Sequence, residues 1–303
     1  EVVGELLRKD IIDRIKNLRF KYLRFEIGIQ STNSKVNEAV CRKQNMPKLK
    51  ENIYLLNQTN KVDLHIDLIV VVAFKMLPKV VWQIPTIGTI NIHASLLPQY
   101  RGAAPINWAI INGEKQTGVT SFIINEVIDT GNILLQKSVP IDEDETAGTL
   151  HDKLQESGSQ LLLETLKLLE SGEQKGISQN TLFIDEKDLK PAPKIFKQTC
   201  KINWDNTAKD VNNAIRGFSP YPGAWTILQK GDEKFVFKIF SAKIINESHS
   251  LQSGTIVLKN NTIQIAVRDG FISPIEIQIE GKKRMNIHDF TNGFSFANVI
   301  IAD

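Results

Sequence analysis

Asn91 and His93 stand two residues apart in "GTINIHASL", where an apolar run ends, and a loop punctuated by Pro and Gly, "LPQYRGAAP", follows at once. A side-chain amide can donate a hydrogen bond to an oxygen that gains negative charge. A histidine titrates near neutrality and can move a proton or donate to that same oxygen. A carboxylate beside a histidine orients it and tunes its basicity. Asp129, in "NEVIDTGNIL", is the candidate for this third role, and the Thr-Gly pair after it predicts a tight turn between two strands. The three residue types suit acyl transfer, which needs oxyanion donors and a proton acceptor and no metal. Spacing alone does not bring them together. A lone histidine is more often structural than catalytic, and a lone Asp-Thr-Gly is more often only a turn.

Other motifs carry less. His65, His151, His249 and His288 have no comparable setting and read as structural or surface residues. The run "DEDET", 142–146, reads as a solvated loop and a helix start, where acidic residues suit the helix dipole. There is no GxGxxG and no GxxxxGK[ST], so nothing points to a dinucleotide or a P-loop site. Cys41 and Cys200 are far apart and in no CxxC pattern, so two reduced thiols are expected, with neither a zinc site nor a disulfide framework.

The elements that must position these residues follow from periodicity. Residues 5–18 have helical spacing, residues 23–29 alternate like a strand, and "KVNEAVCRKQN" and "ENIYLLNQTN" read as short helices. "IDLIVVVAF", 66–74, is β-branched and unbroken, which predicts a strand buried on both faces. "GTINIHASL" is a second such strand, and its alternation sends Asn91 and His93 to one side. A helix is predicted over 104–112, strands in "GVTSFIIN" and "GNILLQKSVPI", and a long amphipathic helix from Thr146 to Leu169. Strands alternating with helices predict an α/β fold with an open, mostly parallel sheet, which binds ligands beyond the carboxyl ends of its strands. The pattern changes at 172–200, which is polar, contains "KPAPK" and reads as a linker. A short helix and several short strands with Gly, Asn and Asp turns then predict a small β-barrel or sandwich.

The chain has 303 residues, 42% of them hydrophobic and 23% charged, enough for two domains with buried cores. Its longest apolar run, "LIVVVAF", is far too short to span a membrane, and the first residues lack a signal-peptide core, so a soluble cytoplasmic protein is expected. The net charge of +3 hides a gradient. Residues 1–60 carry +5, residues 61–200 carry −4 and residues 201–303 carry +2. Basic ends and an acidic middle fit a polyanion gripped from the ends, although Lys-rich surfaces are common for other reasons.

"NIHASLLPQYRGAAPINWAI" followed by "IDTG" resembles the signature of the folate-dependent formyltransferases. The likeness runs from about Val62 to the C-terminus and takes in "LKPAPKI", "INWDNTAKDVNNAIRGFSPYPGAW" and "GKKRMNIHDFTNGF". The resemblance implies a Rossmann-like catalytic domain over 1–185, a linker over 186–204 and an OB-like C-terminal β-barrel over 205–303. It implies transfer of formyl from 10-formyltetrahydrofolate to the α-amine of methionyl initiator tRNA, by a monomer without a metal. Asn91 and His93 would hold the formyl oxygen as its carbon turns tetrahedral. Asp129 would pair with His93 and assist removal of the amine proton. Ser95, Leu96, Leu97 and Pro98 would line the folate site, and the barrel would help to hold the tRNA.

The chain departs from that pattern at its start. The family's opening strand and "FxGTPxFA" loop are not found, "EVVG" resembles its second strand, and the "PxGRG" pattern is missing from the basic stretch that follows. A truncated or atypical N-terminus is therefore expected. Two alternatives stand beside the tRNA-directed reading. One is a related formyltransferase acting on an amino-sugar nucleotide or on glycinamide ribonucleotide. The other is a non-catalytic remnant that binds folate or RNA.

Overall fold

A computed structural model describes residues 77–302 apart from 173, 174, 184, 260 and 261, together with 23–24, 51, 54–55, 62–63 and 68–72. The predicted helices over 5–18 and in "KVNEAVCRKQN", with Cys41 and His65, lie outside the described residues. The chain divides into two compact units, Glu1–Ile69 with Pro78–Thr89, and Val70–Leu77 with Ile90–Asp303. In the first, β1 (Leu23–Arg24) pairs in parallel with β2 (Val62–Asp63). A single helical turn, α1 (Lys79–Trp82), is followed by Thr89, whose hydroxyl donates to the Trp82 carbonyl at 2.9 Å.

A four-stranded sheet, most of it in the second unit, has the order β3 (Leu68–Val72), β4 (Gly88–His93), β5 (Gln116–Ile123) and β6 (Ile133–Pro140). β4 and β5 run antiparallel, with Asn91 opposite Phe122 and His93 opposite Thr120, and β5 and β6 run antiparallel as well. The expectation of a mostly parallel sheet therefore needs correcting here: this α/β fold mixes both senses. The short connection between β5 and β6 cannot make the crossover that a parallel pair requires. β3 also differs from expectation. Val71 is buried but Val70 and Val72 are 37% and 61% exposed, so only one of its faces is covered.

α2 (Pro105–Ile111) and α3 (Ala147–Glu170) accompany this sheet. α3 starts where Thr146 predicts. The Thr146 hydroxyl accepts from the Thr149 N–H, and the Thr149 hydroxyl accepts from the Thr146 N–H, which satisfies two donors of the first turn. Its buried residues, Leu150, Leu154, Gly158, Leu161, Thr165 and Leu169, recur at helical spacing. Leu150, Leu154 and Leu161 pack with Val119, Val139 and Ile110 into one core. The acidic run before α3, expected to be solvated, is so only in part. Glu145 is buried and pairs with Lys153, and its carbonyl accepts from Arg216 Nη1 at 3.0 Å.

After the polar stretch comes α4 (Ala208–Gly217), capped by Thr207. Then follow β7 (Ala224–Lys230), β8 (Glu233–Ile245), β9 (Ile256–Lys259), β10 (Thr262–Val267), β11 (Gly270–Ile279), β12 (Met285–Asn286), α5 (Ile287–Gly293) and β13 (Val299–Ala302). The strands form a separate antiparallel sheet in the order β13-β7-β8-β11-β10-β9, with β12 on β11. Its apolar face covers a second core that includes Val211, Ile215, Leu228, Phe237, Ile239 and Ile272. α4 also lies against α2. A Cβ on Gly217 would come within 2.6 Å of Ile111 Cγ1, so only glycine allows this approach, and the Asn107 amide donates to the Gly217 carbonyl at 2.8 Å.

Candidate active site

β4 alternates, so Asn91 and His93 share one face of it, and both side chains are buried. His93 Nε2 lies 2.9 Å from the Tyr100 carbonyl. A carbonyl can only accept, so Nε2 carries a hydrogen and Nδ1 is left as the second working nitrogen. Nδ1 stands 3.8 Å from Asp129 Oδ2. That oxygen also accepts from the Gly102 N–H at 2.9 Å. The three residues singled out by type and spacing are thus gathered at the ends of neighbouring strands. Asn91 Oδ1 is buried and finds no hydrogen-bond partner among the described residues. An acceptor left in that state costs about 1–3 kcal/mol, which a ligand N–H can recover.

Two loops carry the geometry. Tyr100 and Asp129 have φ of 60° and 54°, and Gly102 has 125°, all in the left-handed half of backbone space. Tyr100 is buried and anchored at both ends. Its N–H donates to the Lys190 carbonyl at 2.7 Å and its hydroxyl donates to Glu114 at 2.6 Å. Burial, reinforced by Glu114, raises the Tyr100 hydroxyl far above its ordinary value. For Glu114, burial pushes upward, but the Lys190 ammonium and the Tyr100 hydroxyl outweigh it and hold the carboxyl below the usual range. Arg101 is drawn downward by burial, opposed by the charges of Glu186 and Asp129.

Of the segment expected to line a ligand site, Ser95, Leu97 and Pro98 are buried and only Leu96 keeps partial access. Ser95 Oγ donates to the Gln99 carbonyl at 2.7 Å, and Leu97 packs with Phe122 and Ile133. Thr120 Oγ1 donates to the Ser95 carbonyl at 2.6 Å and accepts from the Leu97 N–H at 3.1 Å, while Gln136 Nε2 donates to the Leu97 carbonyl at 2.8 Å. The loop is therefore fastened to β5 and β6. Two of the other histidines, His151 and His249, behave as expected. His151 is exposed beside Asp152, and His249 packs on the Phe271 ring. Among the described residues no group of three or more His, Cys, Asp or Glu side chains is placed to hold a metal ion. No described helix is long and apolar enough to cross a membrane.

The formyl transferase family model matches residues 28–166, and the model of the formyl transferase C-terminal domain matches residues 194–295. The chain belongs to the formyltransferase family. It is 46% identical to the methionyl-tRNA formyltransferase of Flavobacterium johnsoniae, over 82% of this chain and 81% of that one. It is 49% identical to the methionyl-tRNA formyltransferase of Phocaeicola vulgatus, over 75% and 71%. A crystal structure of HypX from Aquifex aeolicus in complex with tetrahydrofolic acid shares the fold, with a TM-score of 0.54 at 21% identity. That match covers 78% of this chain and 43% of the HypX chain.

In this formyltransferase the arrangement can do three things: offer a buried amide, hold a proton on His93 Nδ1 and stabilise it with the Asp129 carboxylate. Sequence reasoning missed the residues bonded to these groups and their loops: Tyr100, Gly102, Thr120, Gln136 and Gln179, whose amide donates to the Asp129 carbonyl at 2.9 Å. "YRG" sits inside the motif itself, and the glycine was its one usable signal. Gln179 gave none, since it falls in a stretch that reads as linker.

Proposed function

We propose that this chain transfers the formyl group of 10-formyltetrahydrofolate to the α-amino group of methionyl initiator tRNA. The observation that carries the reading is His93 Nδ1 facing Asp129 at 3.8 Å, with the amide of Asn91 on the same strand face. The names of relatives 46% and 49% identical over most of the chain support the choice of acceptor over an amino-sugar nucleotide.

The folate supplies the formyl group, and the unpaired Asn91 Oδ1 fits an incoming amine, which brings N–H donors. The Asn91 amide N–H donates to the formyl oxygen as charge develops on it, and His93 joins it once Nδ1 is protonated. Nδ1 of His93 takes up the proton that the amine loses, and Asp129 holds the resulting imidazolium in place. The proton ends on the leaving nitrogen of the donor, so formyl and hydrogen exchange places. Ser95, Leu97 and Pro98 contribute to the folate site as framework, and Leu96 as a contact. The division into a Rossmann-like catalytic domain over 1–185, a linker over 186–204 and an OB-like barrel over 205–303 belongs to the same proposal. So do a barrel that helps to grip the tRNA, a monomeric state and a cytoplasmic site of action. Curling of the C-terminal sheet is supported by Ile301 of β13, whose side chain lies 3.8 Å from a Cβ built on Gly254 just before β9.

The test is formyl transfer to methionyl initiator tRNA, with uncharged tRNA and a nucleotide amino-sugar as controls. His93→Ala and Asp129→Ala should each lower kcat about 10²- to 10³-fold while the protein stays folded. Near-wild-type turnover in either variant, or transfer to the sugar alone, would overturn the reading.

A further inference from the structure

The stretch after α3 does not run free. Ile177 and Ile133 exchange backbone hydrogen bonds at 2.7 and 2.8 Å, and the Asn132 amide donates to the Lys175 carbonyl at 2.9 Å. These bonds deliver Gln179, 1% exposed, to the turn that carries Asp129. Its amide is fully used. Oε1 accepts from Arg101 Nε at 3.0 Å and from Arg101 Nη2 at 2.7 Å. Nε2 donates to the Asp129 carbonyl at 2.9 Å and to the Gly131 carbonyl at 2.8 Å. A primary amide offers two donors and two acceptor sites, and here all four are engaged.

We propose that Gln179 is a positioning residue for the Asp129 carboxylate. The proposal rests on the reading of Asp129 as the partner of His93. Arg101 lies between Tyr100, whose carbonyl accepts from His93 Nε2, and Gly102, whose N–H donates to Asp129 Oδ2. Gln179 therefore grips the loop that orients the histidine with one end of its amide. With the other end it grips the loop that bears the carboxylate. The backbone of Asp129 is left-handed, and its carbonyl accepts from this side chain. Gln179→Glu would keep the shape and the acceptors for Arg101 and lose both donors to the Asp129 turn. The two halves of the clamp can thus be separated chemically.

The experiment compares Gln179→Glu and Gln179→Ala with the wild type, in wild-type and Asp129→Asn backgrounds. It measures kcat, KM for methionyl-tRNA, KM for 10-formyltetrahydrofolate and the thermal melt. Gln179→Glu should stay folded and lose about 10- to 100-fold in kcat, since displacement of a reacting group by about 1 Å costs on that order. Both KM values should stay within about threefold, because binding is not what is lost. In the Asp129→Asn background the same change should cost less than about twofold, since residues acting through one another are not additive. An unchanged kcat, a loss confined to KM, or a full multiplicative loss on top of an impaired Asp129→Asn would overturn the proposal and leave the functional reading intact. An Asp129→Asn protein with wild-type kcat would overturn both. Should Gln179→Ala fail to fold, Gln179→Glu carries the comparison alone.

Discussion

Gly102→Ala should weaken both the fold and the reaction, by amounts the geometry sets. Gly102 has φ of 125°, and a Cβ there would lie 2.5 Å from the Ala192 carbonyl oxygen and 3.1 Å from its carbon. The oxygen cannot simply move aside, because it accepts from the Ala103 N–H at 2.7 Å and the Ala104 N–H at 3.2 Å. Holding a side chain in that backbone region costs about 1–3 kcal/mol. Weakening one of the carbonyl's hydrogen bonds adds about 1 kcal/mol. A loss of about 3 kcal/mol corresponds to a fall in melting temperature of roughly 6–12 °C for a unit of this size. The Gly102 N–H also donates to Asp129 Oδ2, and a hydrogen bond to a charged group is worth about 1.5–3 kcal/mol. At about 1.4 kcal/mol per factor of ten, kcat should fall roughly 10- to 100-fold. The assay is a thermal melt alongside formyl transfer to methionyl-tRNA. A melt within about 2 °C of wild type together with a kcat within about threefold would refute the reasoning, since neither strain nor the lost contact would then be acting.

Glu114 supplies a test by pH. Its carboxyl is held below the ordinary value of 4.5, so the unfolded chain binds more protons around that pH and Glu114 adds stability above it. That contribution is lost as pH falls from about 4.5 through the folded-state value, and Glu114→Gln should flatten the melting temperature in this acid window. An equally steep acid loss in the variant would remove Glu114 from the explanation. Thr146→Ala breaks the capping pair of α3 and should cost about 1 kcal/mol, read as a lower urea midpoint at an unchanged slope. An unchanged midpoint would mean that the cap adds nothing.

Asn91 and His93 were legible because strand alternation and chemistry coincide within three residues. α3 was legible because its apolar spacing and its Thr146 start agree. Asp129 could be nominated, yet nothing in its spacing brings it to His93. That depends on the turn at 129–131 and on a backbone conformation that no local pattern announces. The sense of β5 and β6 was misjudged because the alternation of strands with helices was extended to a pair that only a turn connects. α5 was missed because "IHDFTNG" has weak helical propensity. It is held by Asn286 as its cap and by the stacking of Phe290 on Phe294, at 4.7 Å between ring centres. Gln179 was illegible for a deeper reason, since its role is four hydrogen bonds to residues between 48 and 78 positions away.

The strained residues around His93 share one support. Tyr100, Gly102 and Asp129 each hold a backbone angle that most side chains resist. Tyr100 is held by Lys190, Gly102 lies in the bridge to Ala192, and Asp129 is held by Gln179. All three supports fall between 177 and 192, in the polar stretch that looks dispensable by composition. A strained conformation persists only where its surroundings over-determine it, and here those surroundings are a strap. The proposed catalytic domain border at 185 cuts through that strap, leaving Gln179 on one side and Lys190 and Ala192 on the other. Part of what builds the catalytic loops is therefore carried by the segment that leads into the C-terminal sheet. Changes that loosen residues 186–192 should act on His93 and Asp129 without touching either.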